Sequence, residues 1–215
     1  MLTIENSLPC DDQPVNKATL TLENRYLSSW VTPNSLEIQE AYKRLANGIS
    51  GRRERITALW NYVKNIPYTQ FVKSRISVDG RTFEQPDTWL DPAQAMQVSH
   101  LNCFNKSVLL ASLLRQELSP DQAYVCLNNV NVNGIDGHAV TYLRLDKDYI
   151  LETTNADIRD PFMLASDGDI YEAVVFFNDA GVSYIPDTQL REPLGLCCIR
   201  WLKDYINDRL CTEYV

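Results

Sequence analysis

The segment HLNCFNKSVLLASLLR, residues 100–115, constrains the fold of this chain more than any other. From 108 to 114 only Ser112 is polar, so a helix formed here has no polar face to turn towards water. Such a helix has to be surrounded by protein on all sides. The first turn beside Cys103 is instead polar, with Asn105, Lys106 and Ser107. We therefore expect this end of the helix to meet a cleft or solvent.

Cys103, at the start of this helix, is a candidate nucleophile. Backbone N–H groups and the helix dipole favour negative charge at a helix N-terminus, which lowers the pKa of a thiol there and increases the thiolate fraction. Cysteine also packs well as a small buried hydrophobe, so its position alone does not establish catalysis. A nucleophilic thiol needs a base, usually histidine, and a third group that orients the imidazole.

Length and charge define the class of protein. A chain of 215 residues that is 45% hydrophobic can bury a sizeable core, and we expect one domain over residues 1–215. We divide it into an N-terminal extension (1–34), a core (35–157), and further strands with a C-terminal helix (158–215). The net charge of −8 opposes binding to nucleic acid or to an anionic membrane surface. No secretory signal and no bilayer-spanning apolar run is visible, so we expect a cytoplasmic protein.

Cofactor motifs are not visible in the sequence. The six cysteines are irregularly spaced without a Cys-x-x-Cys pair, and there are only two histidines, which favours neither a disulfide framework nor a zinc site. Glycine-rich phosphate-binding motifs are also absent from the sequence. We therefore expect no cofactor and no metal, and the sequence does not predict an oligomeric state.

Two amphipathic helices are predicted ahead of the buried helix. The first begins after Ser35 as N-cap and ends at Gly48, and the second spans about Arg52 to Asn65. In the first helix, apolar residues recur at helical spacing at Leu36, Ile38, Ala41, Tyr42, Leu45 and Ala46. We expect both helices to pack against the core.

Shorter elements are predicted elsewhere. Asp91 is a plausible N-cap with Pro92 at the first helical position, and Gly80 to Pro86 has the composition of a turn. The alternating run from Lys17 to Glu23 predicts a strand. An amphipathic helix is predicted from Cys197 to Leu210.

Beyond the buried helix, the pattern changes to short strands. Residues 123–130, 138–145 and 149–154 are rich in Tyr, Val and Ile and are separated by Asn, Asp and Gly. Residues 171–177 and 181–185 predict further strands, or a strand and a short helix. Helices followed by an antiparallel sheet predict an α+β fold.

His138 is the candidate base, because it opens a strand after the turn NGIDG, where a side chain can face a cleft. A three-residue loop centred on Asp146 would pair Val140 with Glu152, one diagonal step from His138. A two-residue loop would instead bring Asp157 opposite His138. We prefer Glu152 as the third group and keep Asp157 in reserve.

Several segments, taken in order, resemble the core of the transglutaminase-like superfamily. They are ITALWNYVKNIPYT, DTWLDPAQAM, LNCFNKSVLLASLLR, AYVCLNNV, GHAV and YILETT, between about Ile56 and Asp157. The resemblance is nearest to the bacterial transglutaminase-like cysteine proteinases. It implies a papain-like arrangement, in which a central helix carries Cys103 as nucleophile and an antiparallel sheet carries His138 as base and Glu152 as acid.

The chain departs from that family next to the cysteine. The acidic residues that flank the cysteine in the bacterial proteinases are Asn102, Phe104 and Asn105 here. The resemblance therefore does not extend to the calcium binding of that branch.

An acyl-transfer site also needs donors for the developing oxyanion, and the backbone N–H of Cys103 is the natural first one. Gln97 lies six residues before Cys103, a spacing similar to that of papain's oxyanion glutamine. Trp89 could supply an indole N–H as in true transglutaminases. His100 is expected to be an exposed loop residue.

The sequence thus predicts a cysteine-dependent acyl-transfer enzyme that acts through a thioester. Hydrolysis of an amide or peptide bond, as in a peptidase or amidase, is the main expectation. Transfer to an amine, as in a transglutaminase or amide-forming acyltransferase, would use the same chemistry. A transglutaminase-like binding module without catalysis is the alternative from another class. The expected substrate is a peptide, a protein or a small amide.

Overall fold

The computed structural model describes residues 3–5, 27–69, 74–78, 81–85, 89–132, 135–167 and 171–184. The strand predicted from Lys17 to Glu23 and the helix predicted from Cys197 to Leu210 lie outside the described residues. None of the helices in the described part of the chain combines the length and apolarity that a membrane span requires.

The described part of the chain includes four helices, two of which begin at the caps that the sequence predicts. The four are α1 (Leu36–Ala46), α2 (Arg52–Asn65), α3 (Pro92–Ala95) and α4 (Cys103–Leu114). The Ser35 hydroxyl accepts the N–H of Ile38, and the Asp91 carboxylate accepts the N–H of Ala93. Both capping predictions are confirmed. Leu36 is 64% exposed, so its predicted place on the packing face of α1 is wrong.

A small antiparallel sheet contains β1 (Thr3–Glu5), β2 (Ser74–Val78) and β3 (Arg81–Gln85), in the order β1-β2-β3. The prediction of a turn over residues 80–86 is therefore wrong, because most of that segment is β3. Phe83 pairs with Ile76, and Thr82 pairs with Ser77. Because these partners belong to β2, the composition of residues 80–86 alone does not reveal the pairing.

The main sheet has six antiparallel strands in the order β7-β6-β5-β4-β8-β9. They are β4 (Ala123–Val132), β5 (Ile135–Arg144), β6 (Asp148–Leu151), β7 (Met163–Leu164), β8 (Tyr171–Asn178) and β9 (Gly181–Tyr184). A 3₁₀ turn, Ala165–Asp167, lies between β7 and β8. The α+β prediction is confirmed, and the segments 171–177 and 181–185 contribute strands.

Strand β5 begins three residues earlier than predicted. Its pairing with β4 extends to Ile135 opposite Val132, with a register shift between Asn128 and Asn131. His138 is consequently the fourth residue of the strand, opposite Asn128, and not the first. The turn composition of the preceding residues conceals this extra pairing from a sequence-based prediction.

The hairpin from β5 to β6 has the register that the sequence favoured. Thr141 pairs with Leu151 and Arg144 with Asp148, which leaves a three-residue loop centred on Asp146. The same register places Glu152 directly after the last residue of β6.

Helix α4 occupies the centre of the molecule, with every one of its residues buried. It packs on β4 and β5 and against α1, α2 and α3. Its leucines at 109, 110, 113 and 114 are all 0% exposed, and each contributes about 2 kcal/mol through the area it removes from water. The prediction that this helix is buried is confirmed.

Candidate active site

The structure brings Cys103, His138 and Glu152 together at the N-terminal end of α4. Nε2 of His138 lies 2.6 Å from Oε2 of Glu152. The imidazole also makes a hydrogen bond with the thiol of Cys103. Since Nε2 is engaged by the carboxylate, Nδ1 is the ring nitrogen available to the sulfur. The three side chains form a continuous chain from sulfur to carboxylate.

These three residues are largely shielded from water. Cys103 is 3% exposed and Glu152 1%, whereas 15% of the His138 side chain is accessible. The imidazole is therefore the part of the group with the most contact with solvent.

The electrostatics of the pair favour the charged forms of both partners. Burial alone would lower the pKa of His138, but hydrogen bonds and charge interactions with Cys103 and Glu152 outweigh it and raise the pKa to about 10. Burial would raise the pKa of Glu152, but the interactions with His138 and Thr154 outweigh it and lower the pKa to about 2. Both shifts favour an ion pair of imidazolium and carboxylate.

The carboxylate of Glu152 is held by the loop that follows it. Its Oε1 accepts the N–H and the hydroxyl of Thr154, each at 2.6 Å. Asp157, the reserve acid, is exposed, and its N–H donates to the side chain of Asn155. The carboxylate bonded to His138 is that of Glu152 and not that of Asp157.

The polar first turn of α4 is buried, contrary to the expectation that it meets solvent or a cleft. Asn102 is the N-cap, and its Oδ1 accepts the N–H of Asn105 at 2.8 Å. Asn105 in turn accepts the N–H of Leu90 at 2.8 Å, and Ser107 donates to the carbonyl of Cys103 at 2.8 Å. Each polar group is satisfied by a protein partner, which permits its burial.

Lys106 is the residue at this site that sequence reasoning missed. Only 1% of it is exposed, and Nζ donates to the carbonyls of Val63, Lys64 and Thr153 at 3.1, 3.1 and 3.0 Å. Burial lowers the pKa of Lys106 to about 8, with Glu152 opposing the shift. Its acceptors lie more than forty residues away on either side of the chain, so no local pattern indicates them.

The two oxyanion candidates have different surroundings. Trp89 is buried in the same hydrophobic cluster as Cys103 and stacks on Phe104, with ring centroids 3.9 Å apart. Gln97 is exposed, and its amide lies 3.5 Å from the carbonyl of Ala93. Of the two, Trp89 shares a buried cluster with Cys103.

The residues next to Cys103 do not fit a calcium ion. Calcium favours several carboxylate and carbonyl oxygens. Here the amide oxygens of Asn102 and Asn105 are occupied by backbone N–H groups, and Phe104 offers a ring packed on Trp89. Across the described residues, no group of three or more His, Cys, Asp or Glu side chains is placed to hold a metal.

A second buried thiol has a different environment. Cys126, in β4, is 1% exposed, and its Sγ lies 3.2 Å from the side-chain oxygen of Asn128. Burial raises the pKa of this thiol well above its ordinary value. Cys126 therefore provides an internal comparison for Cys103.

No family model and no curated protein matches the sequence. Solved structures of similar fold include calcium-bound LapG of Legionella pneumophila, with 13% identity, a TM-score of 0.52, and coverage of 84% of this chain and 97% of that one. The EGTA-treated form of the same protein has 13% identity and a TM-score of 0.52, and the match covers 86% of this chain and 95% of that chain. A third LapG structure is 12% identical with a TM-score of 0.51, covering 86% and 94%. Likeness at this level of identity shows the fold alone.

Proposed function

We propose that the protein is a cysteine-dependent acyl-transfer enzyme that hydrolyses an amide or peptide bond through a thioester. The observation that carries the proposal is the chain of contacts from the Cys103 thiol through the His138 imidazole to the Glu152 carboxylate. In this proposal Cys103 is the nucleophile, His138 moves the proton, and Glu152 orients the imidazole.

The likeness to LapG gives independent support at the level of the fold. LapG is a transglutaminase-like cysteine protease. A helix that carries a thiol, packed on an antiparallel sheet that carries histidine and acid, is also what a papain-like arrangement requires. We therefore assign the chain to the transglutaminase-like superfamily and infer a peptide or protein substrate.

Acylation follows from the charges of the site. Because the raised pKa of His138 favours its protonated form, the sulfur of Cys103 can act as a thiolate stabilised by the imidazolium. The sulfur attacks the carbonyl carbon, and the carbonyl π electrons move to oxygen. His138 then donates its proton to the amide nitrogen, the C–N bond breaks, and the amine leaves while the acyl group remains on sulfur.

Deacylation reverses these roles. Neutral His138 accepts a proton from a water molecule as the water oxygen attacks the thioester carbon. The C–S bond then breaks, which releases the acid and restores the imidazolium next to the thiolate. Glu152 keeps the ring oriented in both steps through its bond to Nε2.

The negative charge that develops on the carbonyl oxygen is stabilised by hydrogen-bond donors that are already in place before the reaction. The N–H of Cys103 belongs to the first turn of α4, whose amides point towards the helix N-terminus. We propose Trp89 as the second donor, because its indole is buried in the cluster that contains Cys103.

A generic activated ester tests this proposal without knowledge of the substrate. Incubation with p-nitrophenyl acetate should release a burst of p-nitrophenolate and leave one acetyl group on Cys103, located by peptide mass spectrometry. Cys103→Ser is the negative variant, and Cys126→Ser is the matched control at another buried cysteine of the described residues.

The fate of the acetyl group separates the possible functions. Release as acetate in the presence of an added primary amine supports hydrolysis. Formation of the acetamide shows that the enzyme is an amine-directed acyltransferase. Wild-type protein that is never acetylated on Cys103 contradicts the enzymatic proposal and supports a binding module.

A further inference from the structure

Two buried side chains in the described part of the chain carry charge, and both are at the proposed site. Lys106 and Glu152 are each 1% exposed. Burial of a charged group costs several kcal/mol unless hydrogen bonds and opposite charge offset it. Glu152 has His138 and Thr154 as partners, whereas Lys106 is surrounded by main-chain carbonyls.

Lys106 connects helix α4, which carries Cys103, to the loop after β6, where Glu152 lies. It lies one turn after Cys103 on α4, and its Nζ donates to the carbonyl of Thr153, the residue after Glu152. The same ammonium donates to the carbonyls of Val63 and Lys64 in the last turn of α2. Helix C-termini favour cations, which helps to offset the burial of this one.

The main chain at Glu152 is held by hydrogen bonds to two consecutive carbonyl groups. The indole of Trp60 donates to the carbonyl of Glu152 at 2.8 Å, and Lys106 donates to the next carbonyl, that of Thr153. Both donors come from helices, α2 and α4, so the loop after β6 is fixed to the helical layer. The Glu152 side chain that reaches His138 starts from this main-chain position.

Stability alone does not require a charge here. Buried ionic groups can often be replaced by apolar residues of similar volume without loss of stability. What an apolar side chain cannot supply is a donor that reaches three carbonyls on two separate segments.

We infer that Lys106 is a positioning residue of the proposed active site, and that its three hydrogen bonds hold Glu152 within reach of His138. This inference rests on the proposed function. Lys106 contacts neither substrate nor reacting atoms in this role, and acts through the main chain beside Glu152.

The test compares Lys106→Met with a matched control, Lys64→Met. Methionine approximates the length of lysine and removes all three bonds. Lys64 lies at the same end of α2, and its exposed ammonium, 4.6 Å from the centre of the Trp60 ring, is 3.3 Å from the carbonyl of Asn155. Both variants therefore lose an ammonium near the same loop, but only one loses the buried contacts.

The readout is the NMR titration of the His138 imidazole. The chain has two histidines, so His100→Gln assigns the two signals. In the described part of the chain, the groups that contact the His138 ring include Cys103 from α4, and Glu152 and Thr154 from the loop after β6. Loss of a nearby cation can only maintain or raise the pKa of His138, whereas displacement of Glu152 lowers it. The two effects have opposite signs.

We expect Lys106→Met to lower the His138 titration midpoint by about one unit or more and to slow alkylation of Cys103 about tenfold, with Lys64→Met unchanged. Folding is verified by circular dichroism, and Lys106→Leu, which also removes all three donated hydrogen bonds, is measured in the same way in case the methionine variant does not fold. A folded variant at position 106 with an unchanged or raised midpoint overturns the inference. The midpoint can be measured whether or not Cys103 of the wild-type protein is acylated. Failure of this inference is therefore distinguishable from failure of the proposed function.

Discussion

Nε2 of His138 and Oε2 of Glu152 are 2.6 Å apart, in a position where only 1% of the glutamate side chain is exposed. Each partner shifts the other towards its charged form, with the pKa of His138 raised and that of Glu152 lowered. The pair therefore favours a protonated imidazole next to Cys103.

Replacement of Glu152 by glutamine should lower the pKa of His138 and reduce the rate of Cys103 acylation by at least about tenfold, because the amide orients the ring without stabilising its charge. The measurements are the NMR titration of His138 and the p-nitrophenyl acetate burst. Asp157→Asn is the matched control, since that carboxylate is exposed. A loss of activity in Asp157→Asn that equals the loss in Glu152→Gln would disprove this assignment.

Acid stability should depend on Glu152. Its pKa is about 2 in the folded protein against an ordinary value of 4.5, so its contribution is fully present above about pH 4.5 and is lost as pH falls towards 2. His138 stays protonated over this range. Urea unfolding between about pH 3 and pH 6 should show a shallower pH dependence for Glu152→Gln than for the wild type. If the free energy of unfolding depends on pH in the same way in both proteins, the lowered pKa of Glu152 is contradicted.

Trp89→Phe should keep the stacking on Phe104 but remove the indole N–H, and we expect acylation to slow by about tenfold to a hundredfold. Gln97→Ala removes an exposed amide and should leave the rate unchanged. The initial rate of the p-nitrophenyl acetate burst measures both effects. The opposite result would identify Gln97 as the oxyanion donor.

Asn105→Ala should destabilise the protein by about 1–3 kcal/mol, because the buried N–H of Leu90 loses its acceptor. Asn61→Ala, on the exposed surface of α2, is the control. Urea unfolding gives both free energies. Equal stability of the two variants would show that the hydrogen bond from Leu90 contributes little.

Much of this arrangement follows from local patterns in the sequence. The apolar run in α4 predicts its burial, and the caps at Ser35 and Asp91 predict helix starts. The three-residue loop at Asp146 distinguishes Glu152 from Asp157, because a register change of one residue moves side chains to the opposite face of the sheet.

Other features depend on partners that are distant in sequence. The first turn of α4 is as polar as a solvent-facing turn, and only acceptors such as the carbonyls of Val63 and Thr153 permit burial of Lys106. The early start of β5 likewise depends on pairing with the end of β4, which the turn composition conceals. Long-range satisfaction of polar groups is the part of the site that local pattern does not reveal.

The most direct test of the central claim is the site-resolved rate of alkylation by iodoacetamide, measured by peptide mass spectrometry at about pH 6. We predict that Cys103 reacts at least about tenfold faster than Cys126, Cys197 or Cys198, and that His138→Gln abolishes the difference. If Cys103 reacts no faster than the other cysteines and His138→Gln leaves its rate unchanged, the proposed thiolate–imidazolium pair is contradicted.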